Sequence, residues 1–254
     1  MDRWQEVNDI KCCLLEGVRG SKTLKEKFMK VIIAGGTGNL GLRIISALIS
    51  RGAEVRALVR ATSDEEKVKK IKQAGAEVVE VDMQDIKVVS QACKGAVCVV
   101  SALQGLRDVI VDTQAILLDA AVAAGVKRFI PSDFAVDFTR IASDNRNFDL
   151  RREFHLILHQ KPVSATSVYN GAFADILTYN TPMLDLKNKT VGFWGDDPDW
   201  KLDFTTMDNT AVFTAAAALD PNAPAKLHIA SFQVSPNELA ALATEITRTE
   251  FVVK

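Results

Sequence analysis

The 254-residue chain balances 31 Lys and Arg against 32 Asp and Glu, a formal net charge of −1. That length buries a sizeable core in one large domain, or in one domain with a smaller lobe. The even balance, with no run of five or six like charges, argues against nucleic acid or a membrane surface as a direct partner and for a small-molecule substrate or a regulated protein.

Four cysteines, Cys12, Cys13, Cys93 and Cys98, have neither the CxxC spacing of a metal site nor the density of a disulfide scaffold. They read as reduced thiols of a cytoplasmic protein without a bound metal. No apolar run approaches the roughly 18 residues that cross a bilayer. The first 28 residues stand apart, because their Cys12-Cys13-Leu14-Leu15 stretch is much shorter than a signal-peptide core and has charge on both sides. They read as an N-terminal extension, either an added helix or a disordered or non-native segment, with Met29 a natural start.

From Lys30 the pattern alternates strand and helix, the mark of a parallel sheet covered on both faces. Residues 31–34 form an apolar run of buried-strand type. A glycine loop follows, and Leu40, Ile44, Ile45, Leu48 and Ile49 recur at helical spacing until Gly52. Residues 54–59 are the second strand. Ser63 and Glu66 fit a capping box for a charged helix that stops before Gly75. The third strand is 77–81 and the fourth 96–103; an amphipathic helix over 107–124 then ends at Gly125 and feeds a fifth strand at 127–130. Five strands in this order predict a doubly wound sheet. Beyond it the pattern predicts helices near 148–159, 172–179 and 210–219, and strand-like pieces near 165–168, 190–193, 201–204 and 227–230. Ser235-Pro236-Asn237-Glu238 opens a last helix with an N-cap Ser, a first-turn Pro and a Glu three residues after the cap.

Gly35-Gly36-Thr37-Gly38-Asn39-Leu40-Gly41 fits GxGxxG from Gly36 and GxxGxxG from Gly35. Either spacing suits a strand-to-helix turn that cradles a pyrophosphate. The turn needs unusual dihedrals, the backbone must approach the phosphates without Cβ atoms, and the helix offers free N–H groups at its positive end. The apolar strand before it, the periodic helix after it and the second strand beyond supply the context such a motif requires. Gly35, Thr37, Gly38, Asn39, Leu40 and Gly41 are therefore candidate cofactor contacts.

Where an NAD site usually places Asp or Glu for the ribose 2′-hydroxyl, this chain has Arg60. A guanidinium cannot accept a hydroxyl proton but pairs well with a 2′-phosphate, which favours NADP(H) over NAD(H). The alternative is a solvated basic strand end. Thr62, Ser63 and Lys67 are possible assistants. Asp82 and Met83 end the third strand, Ser101-Ala102-Leu103-Gln104 the fourth, and Pro131-Ser132-Asp133-Phe134 the fifth, all at the carboxyl edge where open α/β sheets bind ligands. Asp82 fits a turn cap as well as an adenine contact. His155 and His159 share a helix face, where packing or exposure outweighs a metal site for want of further ligands; His228, in an apolar strand, reads as a core residue.

The glycine loop, Val55-Arg56-Ala57-Leu58-Val59-Arg60 and Lys127-Arg128-Phe129-Ile130-Pro131-Ser132-Asp133-Phe134 together resemble the NmrA-like and isoflavone-reductase-like group of atypical short-chain dehydrogenases. Residues 145–154, Asn-Arg-Asn-Phe-Asp-Leu-Arg-Arg-Glu-Phe, resemble a bacterial NmrA-type branch in particular. The resemblance runs from Met29 to the C-terminus. It implies an α/β Rossmann fold, with an NAD(P)-binding domain over 29–160 and remaining strands plus a small substrate lobe over 161–254, and an NADPH-dependent reductase acting on a carbonyl, quinone or enone-like substrate. Members usually continue past residues 245–254, so the lobe is either trimmed, with an open pocket, or truncated.

Two departures bear on the mechanism. The short-chain dehydrogenase Tyr/Lys pair is missing, because Tyr169 is followed at that spacing by Phe173 and Tyr179 by Met183. The Lys that serves as acid or base in the plant members is matched here by Arg151, which stays protonated and so suits stabilising an oxyanion or anchoring a carboxylate better than proton transfer. Tyr169-Asn170-Gly171-Ala172-Phe173 resembles the family segment beside the nicotinamide, which makes Tyr169 and Asn170 candidate contacts. Arg151, Ser132 and Tyr169 are the candidate catalytic groups, with Tyr169 either a proton donor or an ordinary pocket-rim tyrosine. The missing pair also suits a second class, a non-catalytic NADP(H) sensor that regulates a protein partner.

Overall fold

The computed structural model describes residues 29–254; the predicted extension at 1–28 lies outside them. Six parallel strands form the main sheet: β1 (Lys30–Ala34), β2 (Glu54–Val59), β3 (Glu77–Glu80), β4 (Cys98–Ser101), β5 (Arg128–Ile130) and β6 (Ser164–Ala165), in the order β3-β2-β1-β4-β5-β6. The order reverses between β1 and β4, leaving a crevice at their carboxyl ends. This is the doubly wound α/β fold. The linking helices are α1 (Asn39–Ser50), α2 (Glu65–Gln73), α3 (Ile86–Cys93), α4 (Gln114–Ala123) and α5 (Arg146–Leu158). Among the described residues no helix is long and apolar enough to cross a membrane.

The remaining chain builds smaller pieces. β7 (Ser167–Tyr169) pairs with β11 (Lys226–His228), and β9 (Thr190–Val191) with β13 (Val252–Val253). β8 (Ala172–Phe173), β10 (Leu202–Thr205) and β12 (Phe232–Val234) form a three-stranded sheet in the order β12-β10-β8. Two further helices are α6 (Met207–Leu219) and α7 (Pro236–Thr247), the latter opened by the predicted capping box.

Period-two alternation along β1 divides the core. Val31 and Ile33 face Ile44, Ile45 and Leu48 of α1 and Ala211, Ala215 and Ala218 of α6. On the other face Ile32 and Ala34 join Val89, Leu117, Leu118, Ala121, Phe154 and Leu158. A third cluster, with Phe204, Val234, Leu239 and Phe251, lies under the small sheet.

Several elements depart from expectation for local reasons. Asp64, not Ser63, caps α2 by accepting from the Lys67 amide at 3.0 Å, while the Ser63 hydroxyl accepts from the Arg60 amide at 3.1 Å. A carboxylate at the positive helix end wins over a hydroxyl one residue earlier. Sequence periodicity misses α3, only eight residues long and capped by Asp85. The helix expected at 107–124 starts as a π-turn, Asp108–Thr113, before α4. At 172–179 there is no α-helix but β8 and a 3-10 turn, Ala174–Thr178. Gly171 sits at φ +64°, where a Cβ would lie 2.2 Å from the Asp203 carbonyl, so the chain runs flush against β10 and pairs with it. The strand expected at 165–168 divides at Thr166, whose hydroxyl accepts from the buried Arg128 guanidinium at 2.6 Å. His228 is exposed, 3.5 Å from the Asp137 carboxylate, and not a core residue.

Candidate functional site

A cavity of about 1130 Å³ opens over the carboxyl ends of the main sheet. Of the residues singled out from sequence, Gly35, Thr37, Gly38, Asn39, Leu40, Gly41, Arg60, Asp82, Met83, Ala102, Leu103, Gln104, Ser132, Phe134 and Arg151 line it. Ser101, Pro131, Asp133, Tyr169 and Asn170 do not; all five are buried beside or behind its wall. Thr62 and Ser63 reach the cavity and Lys67 does not.

One end is built from backbone. Gly35 stands at φ +85°, and a Cβ there would lie 2.3 Å from the Ala102 carbonyl oxygen. A Cβ on Gly41 would lie 2.2 Å from the Gly35 carbonyl oxygen. Both clearances belong to the GxxGxxG spacing. Gly36 points its hydrogens at Ile45 instead, so its part is packing. Gly38 caps α1 without a side-chain acceptor, and no acid stands in the first turn. The amides of Asn39, Leu40 and Gly41 thus precede the first intrahelical bond, from Leu42 to Gly38 at 3.0 Å, and keep their donors for an anion. This cradle fits a pyrophosphate.

Along the cleft, Arg60 is exposed just beyond β2 and borders both this cavity and a smaller one beside α2. Asp82 caps a turn, its carboxylate accepting from the Gln84 amide at 2.9 Å, and the residue also lines the cleft.

The other end is built from side chains. The Ser132 hydroxyl donates to the Leu103 carbonyl at 2.6 Å, and the Ser132 amide donates to the Gln114 side-chain oxygen at 2.9 Å. Arg151 lies across the same loop, with Nε on the Ser132 carbonyl at 2.9 Å and Nη1 on the Asn147 carbonyl at 2.8 Å. Burial lowers its pKa, and the charge of Asp133 opposes that. Behind them Asp133, fully buried, meets His155 Nε2 at 2.6 Å and accepts from the Ser167 hydroxyl at 2.7 Å through the same oxygen. This brace ties the β5 loop to α5 and β7. From sequence His155 reads as a packing or exposed residue; its place four residues after Arg151, on the same helix face, was the available signal for this role.

Tyr169 is corrected on both counts. It is 2% exposed, edge-on to Phe138 at 5.5 Å between ring centroids, so it is neither a rim residue nor a donor into the cleft. Its hydroxyl is buried beside Ser167 with no hydrogen bond of good geometry. Burial, then the charge of Asp133, pushes its pKa up to about 12. The opposite wall, unassigned from sequence, holds Val109 and Thr113 of the π-turn, Phe173, Ile176, Tyr179 and Met207. Tyr179 is the tyrosine that reaches the cavity.

The profile of the NmrA-like family matches residues 27–248. Pinoresinol reductase 2 of Arabidopsis thaliana is 33% identical over 208 residues, covering 76% of this chain and 65% of that protein, so the chain spans just under two thirds of this curated relative. The structure of AtPrR2 with NADP+ and (+)pinoresinol matches at a TM-score of 0.79 and 29% identity, over 89% of this chain and 78% of the other. An isoflavone reductase structure matches at 0.79 and 26%, with the same coverage. Pinoresinol reductase 2 is a plant protein, and the resemblance to a bacterial branch is not borne out.

Proposed function

Because this chain belongs to the NmrA-like family, we propose that it is an NADP(H)-dependent reductase of small carbonyl, quinone or enone acceptors. The observation that carries this reading is the single cavity that runs from the open amides of α1, past Arg60, to Ser132 and Arg151. The similar structure holding NADP+ supports the choice of cofactor. The bound cofactor would supply hydride. The chain's residues would do the rest. Gly35, Gly38 and the first-turn amides of α1 hold the pyrophosphate, Arg60 the 2′-phosphate, and Leu103, Ser132 and Phe134 the inner end. Since the Ser132 proton is already engaged by Leu103, the acceptor oxygen is left to Arg151. In this reading 29–160 is the cofactor domain, and 161–254 adds the substrate side through Phe173, Ile176 and Met207. We place the protein in the cytoplasm, where the buried thiols Cys93 and Cys98, pushed up to about 11 and about 12 chiefly by burial, stay reduced.

The test is NADPH consumption across a panel of quinones, enones and aldehydes, beside calorimetric binding of NADPH and NADH. Turnover with at least one class is expected. Tight NADPH binding without turnover on any of them overturns the reductase and favours the second reading, a cofactor sensor that engages a protein partner. The burial of Tyr169 away from the cleft is the observation on the side of that reading. A partner retained with only one redox state of the cofactor would establish it.

A further inference from the structure

We propose that the acceptor end of the cleft takes an organic acid with an apolar body, its carboxylate held by the guanidinium of Arg151. The placement of substrate there rests on the reductase reading; the choice of an acid rests on Arg151 itself. Two of its nitrogens are fixed by neutral carbonyls, Ser132 and Asn147, while Nη2 makes no hydrogen bond with the described residues. No carboxylate pairs with it. Asp133, whose charge it feels, is turned toward His155 and Ser167, and the acids lining the cleft, Glu80, Asp82 and Asp108, form no ion pair with it.

Its neighbours behave otherwise. Arg152, the next residue, pairs with Asp149; Arg107 pairs with Asp112 and Glu153, Arg56 with Glu77, and Arg43 with Asp208. Arg151 is thus a part-buried cation, oriented by backbone, with no carboxylate paired to it among the described residues and Nη2 left for a ligand. A desolvated guanidinium is costly beside a neutral group and strongly favourable beside a carboxylate, whose two oxygens match its fork. Val109, Phe134, Phe173, Ile176 and Met207 on the cavity wall suit an apolar, flat body.

The test titrates trans-cinnamate and methyl cinnamate, matched in shape and different in charge, into NADP+-saturated protein by calorimetry. The acid is expected to bind at least ~10-fold tighter than the ester, the scale of a charge-assisted pair. Arg151→Met should erase that preference by weakening the acid far more than the ester, and Arg151→Lys should retain part of it. Equal binding of acid and ester by the wild type overturns the proposal, as does binding of neither. Equal loss of both ligands in folded Arg151→Met would reduce Arg151 to a brace and also overturn it; if that variant does not fold, Arg151→Lys decides by the same ratio. Should NADP+ itself not bind, the reductase reading falls, and the acid-to-ester ratio measured without cofactor still judges Arg151.

Discussion

At the glycine-turn end of the cleft, the groups presented to a ligand are helix amides and glycine backbone; at the Arg151 end they are side chains held in place by other side chains. The first end needs only one turn, Gly35 to Gly41, and the helix that follows it. The second draws on the β5 loop, α5 and β7, with Asp133, His155 and Ser167 meeting from three elements. Backbone geometry tolerates few residue types and many surroundings. A side-chain brace tolerates more residue types, but only when all its partners arrive.

Substitutions at the two ends should therefore fail differently. The largest effect is expected from His155→Leu, which leaves the fully buried Asp133 carboxylate with Ser167 alone and should cost about 3–5 kcal/mol in urea unfolding. A loss under about 1 kcal/mol would mean that the acceptor end does not depend on the brace. Next comes Gly35→Ala, where a positive φ and a 2.3 Å approach to Ala102 coincide; about 2–3 kcal/mol of stability and most NADPH binding should go together. Gly52→Ala is its control, with φ +78° and nothing within 4 Å of a new Cβ, at about 1 kcal/mol and no change in binding. Arg60→Ala should weaken NADPH by about 1–3 kcal/mol and leave NADH nearly unchanged, by calorimetry. An equal loss for both would place the 2′-phosphate elsewhere. Tyr169→Phe should do least, less than about 1 kcal/mol in stability and no loss of turnover, because it removes a buried hydroxyl that has no well-formed hydrogen bond. Abolished turnover there would show that Tyr169 works in the cleft after all.

The same contrast explains what could be read from sequence. The glycine turn, the Arg60 position, the succession of five strands along the chain and the α7 capping box each follow from residue types at short spacing. Ser132 was found from its place at a strand's carboxyl end and Arg151 through resemblance, and both border the cleft, but the roles of their supports were not legible. Asp133 shares a sequence segment with Ser132, yet the next residue of a strand end turns to the opposite side, and it faces inward to His155. Tyr169 and Asn170 came from the same resemblance and proved buried, because Gly171 presses the chain against Asp203 before β8. Phe173 and Ile176 reach the cavity from a segment whose secondary structure was itself misread, so their orientation could not be derived, and Met207 lies in the turn of helix just ahead of the expected start at 210.

The pairing of β7 with β11 also sets an order of assembly. Strands β1 to β5 and the glycine turn have all emerged by Ile130, and α6 then covers the α1 face of β1. Ser167, in contrast, sits on a strand whose register partner is Lys226. A contact of such long sequence separation forms late, after the loop-closure entropy of the intervening chain has been overcome. A nascent chain halted after α6 and before Lys226 would carry a covered glycine turn and an acceptor pocket that is still unsupported.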